Sequence, residues 1–323
     1  MKLKELYKFV IEQGKLADPR GIKTVNFELK KVAKEFSELK EDQKGEFDNE
    51  KLLNPYADTR IINGDENLEV NNMLVGIDID VGEVLLADRL RSSGIKIDMV
   101  YSHHPLGRAY ANFYEVMSMQ ADILSHVGVP INVAESMLIP RIKEVGRKVH
   151  SVNHNRVVDA ARLLNIPLIC VHTPSDNFVA SFLQKLLDRR RPHYVKDVLD
   201  ILKEIPEYKL AVKNNAGPKV ITGYEKSRVG KIYVDMTGGT GGAKEIYERL
   251  SQVGIGTVVG MHLSEEHMKE VEKQHINTIV AGHISSDTLG INLLFDKLLK
   301  KYKKINIIEC SGFKRIKRGE NSK

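Results

Sequence analysis

The sequence predicts an α/β protein: two related α/β domains with mixed or parallel sheets, a metal site between them, and an N-terminal helical extension. Three observations point there. Apolar, β-branched runs alternate with amphipathic stretches in two separate parts of the chain. A less regular segment broken by Pro and Gly separates the two parts. Several of the apolar runs stop at His or Asp, and strand ends are where open α/β sheets collect ligands. With 323 residues, 42% of them hydrophobic and 28% charged, the chain is long enough for two cores.

Residues 1–55 read as the helical extension, where Val32, Ala33, Phe36 and Leu39 fall on one stripe among Lys and Glu. The segment 56–190 is the first α/β half. Residues 73–79 read as a strand, 81–94 as a helix and 96–102 as a second strand, a βαβ unit that implies a parallel pair with a right-handed crossover. This unit ends in His103 and His104. A helix from about Asn112 to Val127 and a helical 155–165 lead to a strand at 166–171, then to His172-Thr-Pro-Ser-Asp176, then to a helix over 178–188. Residues 191–230 form the connecting or inserted segment. The second half, 231–313, alternates strands at 231–236, 256–260, 277–282 and 305–310 with helices, and carries GHISSD with His283 and Asp287. A basic tail, 314–323, follows.

The formal charge of +6 is concentrated in that tail, whose five Lys/Arg face one Glu and leave +2 for the rest. It reads as a solvated, mobile end, with a nucleic-acid or partner arm as the alternative. Charges interrupt the apolar positions of the first fifteen residues, which excludes a signal-peptide core or spanning helix and predicts a cytoplasmic protein. Cys170 and Cys310 form no CxxC pair, so a metal here would use imidazole and carboxylate rather than thiolate.

His103, His104, Asp176, His283 and Asp287 are therefore the candidate metal ligands. Consecutive histidines point to opposite sides of an extended chain, so His103 and His104 should serve different ions, and Pro105 holds them at a strand end. His283 and Asp287 stand one helical turn apart. Four of the five have a plainer reading: His103 and His104 as solvated strand-end residues, Asp176 and Asp287 as carboxylates at helix N-termini. Capping does not explain histidines at three strand ends. Two divalent ions, Zn or Fe first and Mn or Co next, would leave open positions and acidify water, which predicts a metal-dependent hydrolase. His172 is the candidate catalytic residue, assisting the water. Arg108 is the candidate substrate residue. The TGGTGG run at 237–242 reads as a tight turn or close backbone approach, with an anion cradle as the alternative, since it lacks the P-loop Lys. His126, His150, His154, His193, His262, His267 and His275 are given no role.

HHP after a βαβ unit, HTxxD after a later strand and GHxxSD opening the last long helix resemble the NIF-three-like family, often described as GTP cyclohydrolase type two homologues. The resemblance covers roughly residues 56 to 310. It implies a dinuclear centre held by His103, His104, Asp176, His283 and Asp287, and a homo-oligomer, a ring of six. Asp287 stands where that family usually has Glu, a shorter reach that would turn a bridging ligand into a terminal one. Leu106, Gly107 and Arg108 replace a more apolar stretch, which brings Arg108 toward the substrate. Two other functions remain open at this level: a metal-binding regulatory or interaction scaffold without catalysis, and a nucleic-acid binder acting through the tail.

Overall fold

The computed structural model describes residues 1–318. Its first four strands are β1 (Arg60–Asn63), β2 (Asn72–Gly76), β3 (Met99–Ser102) and β4 (Leu168–Cys170). The next four are β5 (Lys219–Thr222), β6 (Lys231–Asp235), β7 (Ile255–Gly260) and β8 (Asn277–Val280), and β9 (Asn306–Glu309) comes last. They make two mixed sheets in the orders β1-β4-β3-β2-β9 and β5-β8-β7-β6. In each sheet the inner pairings are parallel, and one edge strand, β1 or β5, runs antiparallel with an irregular register. The two sheets thus share a layout. This is the two-domain α/β architecture that the alternation of runs predicts.

Parallel strands covered on both faces need apolar residues throughout. β3 and β4 are buried at every position, and β2 from Met73 onward. The predicted βαβ unit is present: β2 and β3 pair in parallel across the helix Val81–Ser92, which Asp80 and Glu83 start with a reciprocal capping box. Two edge strands, β1 and β5, are absent from the sequence reading. Over 113–127 a 3₁₀ segment, Phe113–Ser118, precedes the α-helix Met119–Val127.

The last strand corrects the expected routing of the chain. The alternation of runs puts residues 305–310 in the second half, yet β9 pairs in parallel with β2 of the first sheet. The helix before it, His283–Lys301, places Ile291, Leu294 and Phe295 in the same core as Met73, Val75 and Met99. The extension is also partly core. Helix Leu3–Ala17 contributes Leu6, Val10 and Ile11 to that cluster, whereas the following helix, Ile22–Glu38, buries only Val25. The described part of the basic tail is docked rather than solvated. Arg315 pairs with Asp296, Arg318 with Glu207 and Lys314 with Glu309; residues 319–323 of the tail lie outside the described residues. No helix among the described residues is long and apolar enough to cross a membrane. Cys170 and Cys310 are both free.

Candidate metal centre

Three strand ends converge. His103 and His104 follow β3, and their N–H groups still donate to Gly76, the last residue of β2, and to Ile77 just past it. Asp176 sits in the first turn of the helix Thr173–Arg190, which begins at Thr173 and not at Phe178, so the whole HTPSD motif forms the junction from β4 into the helix. His283 opens the helix His283–Lys301 after β8, and Asp287 lies one turn on. These two helices cross so closely that a Cβ on Gly290 would stand 2.4 Å from the Ser175 carbonyl oxygen. The crossing brings Asp176 and Asp287 to the same histidine, His103.

His103 Nε2 lies 3.4 Å from Asp176 Oδ1 and 3.5 Å from Asp287 Oδ1. His104 Nε2 and His283 Nε2 each lie 3.4 Å from Asp287 Oδ2. The adjacent histidines therefore reach one carboxylate after all, at different oxygens. The ring orientations are set from behind. His103 Nδ1 donates to the Val171 carbonyl at 3.1 Å, His104 Nδ1 to Asp78 at 2.6 Å and His172 Nδ1 to Asp58 at 2.8 Å. Since those partners accept, each ring turns its Nε2 toward the cluster, the arrangement that orients imidazole toward a metal.

The donors lack protein partners. His103 Nε2, Asp176 Oδ1 and both oxygens of Asp287 are buried without a hydrogen bond, four of the seven such side-chain atoms among the described residues. An unsatisfied buried polar atom costs roughly 1–3 kcal/mol, more if charged, and a cation removes that cost for all four together. Three groupings have the spacing to hold an ion: His103 with Asp176 and Asp287, His104 with His283 and Asp287, and His103 with His104 and His172. Buried His and Asp groups here fit a metal ion.

Without an ion the charges compensate one another. Burial opposes charge on His103, but Asp287 and then Asp176 outweigh it and hold the imidazole well above its ordinary value. Burial would likewise raise Asp287, and His103 with its neighbouring imidazoles keeps the carboxyl far below the usual range. His172 is raised, its burial overcome by Asp176 and Asp58. His283 and His262 are lowered, by burial first.

The cluster opens on one side. Asp287 is 1% exposed and His283 41%, and a cavity of about 210 Å³ lies over them. Its walls include Arg141, the 239–241 part of the glycine run, His262 and His267. The sequence reading left His262 and His267 without a role; position after a strand was the available signal for His262, which follows β7. Asp58 was also missed. It is fully buried, and Thr173 Oγ1 as well as His172 donates to it. A repeated H-x-x-S-D pattern, His172 to Asp176 and His283 to Asp287, is the sequence signal that pairs His172 with a candidate ligand.

No family profile matches the chain, and no curated protein does. Among solved structures, a NIF3 superfamily protein from Sphaerobacter thermophilus is 27% identical, with a TM-score of 0.68 over 80% of this chain and 92% of that one. The fold is NIF3-like. Reduced HcgD from Methanocaldococcus jannaschii is 15% identical at a TM-score of 0.47, covering 78% of this chain and 87% of its own. A Thermus thermophilus protein is 16% identical at 0.44, covering 78% and 86%.

One expectation for the NIF3-like chain changes. Arg108 does not face the cluster: its guanidinium bonds the Ile61 carbonyl at 3.0 Å and pairs with Glu50 at 2.5 Å, back toward the N-terminal segment. Leu106 and Gly107 turn the chain away after HHP, with Gly107 at φ +53°. Both oxygens of the shorter Asp287 face imidazoles, Oδ1 that of His103 and Oδ2 those of His104 and His283.

Proposed function

We propose that this NIF3-like chain holds two divalent cations and hydrolyses a small substrate there, a nucleotide, phosphoester or cyclic amide. The observation that carries the reading is Asp287, whose two buried oxygens have no hydrogen-bond partner and face separate donor sets. We assign one ion to His103, Asp176 and Asp287 Oδ1, and the other to His104, His283 and Asp287 Oδ2. Imidazole and carboxylate without thiolate favour Zn or Fe, then Mn or Co. Ions so held polarise a phosphoryl or carbonyl oxygen and make water acidic near neutral pH.

The chain's own residues do the rest. Asp58 fixes the His172 ring so that Nε2 sits 3.5 Å from Asp176 Oδ2, where it takes up a proton and returns it. Asp78 and the Val171 carbonyl orient His104 and His103 in the same way. Burial of His103, Asp176 and Asp287 keeps bulk water from one side. The family resemblance adds a homo-oligomer of six chains to this reading, and two free cysteines suit the reducing cytoplasm.

The test is metal analysis followed by turnover. Purified protein should carry close to two divalent ions per chain, lost in the His103→Ala, His104→Ala double variant; unchanged metal there removes the site. A screen of nucleotides, phosphoesters and cyclic amides should reveal metal-dependent turnover, and His172→Ala should keep the metal while slowing it by about 100-fold. Two ions with no turnover on any of them would establish a scaffold instead.

A further inference from the structure

The 237–242 glycine run lines the cavity beside the His/Asp cluster, and its carbonyls and amides are bonded differently. Its carbonyls are held by side chains. Gln120 Nε2 donates to Gly238 and Thr240, each at 2.7 Å, Arg141 Nε to Gly241 at 3.1 Å, and His267 Nε2 bonds Gly242 at 3.1 Å. Thr237 ties the start of the run to Asn177, the neighbour of Asp176, at 2.7 Å. The amides of Gly239 and Gly241 have no acceptor among the described residues.

The glycines are not equivalent. Gly238 and Gly239 have φ of +96° and +85°, and a Cβ on Gly242 would meet Gln120 Oε1 at 2.5 Å, so local structure accounts for all three. Gly241 is different. It has no positive φ, and its Cβ would meet only His267, at 3.8 Å. Its lack of a side chain keeps space open in the cavity it shares with Asp176, His283 and Asp287. Arg141 lines that cavity too, with Nη1 on Glu144 and no acceptor for Nη2 among the described residues. The unpartnered, buried oxygens of Asp176 and Asp287 face the same space and mark it as a ligand site.

We propose that the amides of Gly239 and Gly241, together with Arg141 Nη2, form an oxyanion subsite that receives the phosphate group of the substrate beside the ions. This rests on the dinuclear reading above and narrows its substrate class to phosphorylated molecules. Backbone amides and a guanidinium both suit phosphate oxygens, and neither needs sequence features of a P-loop.

The experiment is calorimetric titration of the full chain as purified with inorganic phosphate and with adenosine monophosphate, metal content being read on the same samples. Both probes should bind the wild type, and Gly241→Ala and Arg141→Gln should each weaken binding about tenfold with metal content and melting temperature unchanged. Wild-type binding kept by both variants, or no binding at millimolar phosphate, overturns the subsite. Binding of inorganic phosphate with exclusion of the monophosphate also overturns it as a substrate site. A wild type without divalent ions defeats the dinuclear reading alone, since the two variants still report on the loop.

Discussion

Asp287 and His104 should behave differently on removal, although their side chains touch. Asp287 faces both donor sets and His104 only one. Asp287→Asn is therefore expected to lose most of both ions, while His104→Ala keeps about one per chain; elemental analysis of the two variants checks this. Asp287→Glu, which restores the longer acid, should still bind both. The metal-free protein should carry a pH signature. His103 holds its proton well above the ordinary imidazole value of about 6.5. That stabilisation is complete below 6.5 and disappears as pH rises through the raised value. Chelator-treated protein should therefore lose melting temperature from neutral to alkaline pH, and loaded protein should lose less. At this scale the five candidate ligands lie together in the fold as they do in the sequence pattern, the histidines just past strands and the two aspartates about one turn into helices. The sequence reading failed where contact depends on three dimensions. Arg108 was placed by adjacency to HHP, while Arg141, Asp58 and His262 come from segments that only the fold brings near.

Among the elements, the crossing of helices Thr173–Arg190 and His283–Lys301 controls the distance between Asp176 and Asp287. Gly290 permits it. A methyl at Gly290 would meet the Ser175 backbone carbonyl at 2.4 Å, and backbone cannot move aside as a side chain does. Gly290→Ala should cost about 1–3 kcal/mol in urea denaturation and lower metal affinity as well, because the helices must part. A purely structural glycine far from the cluster would give the first effect without the second. The parallel strands were legible because burial on both faces demands unbroken apolar runs. β1 and β5 were not, since RIIN and KVIT are four-residue edge strands with partly exposed faces. The helix at Thr173 was placed five residues late because Pro174, a breaker inside helices, is favoured in their first turn.

For the whole molecule, light scattering is expected to give six times the 36.4 kDa of one chain; a monomer would remove the ring from the proposal. The described part of the basic tail, read from composition as free, is anchored through Arg315 and Arg318, so a salt-dependent nucleic-acid arm has fewer unpaired cations there than its charge suggests. Composition reports charge and not the carboxylates that meet it. The return of β9 to the first sheet has a consequence in time. During synthesis the first sheet cannot close beside β2 until residues 306–309 have left the ribosome, by which point the second sheet is already available to fold. The nascent first half thus carries an open, apolar edge and only three of the five cluster donors. On the dinuclear reading proposed above, metal capture belongs to the finished chain, because His283 and Asp287 arrive only with its second half.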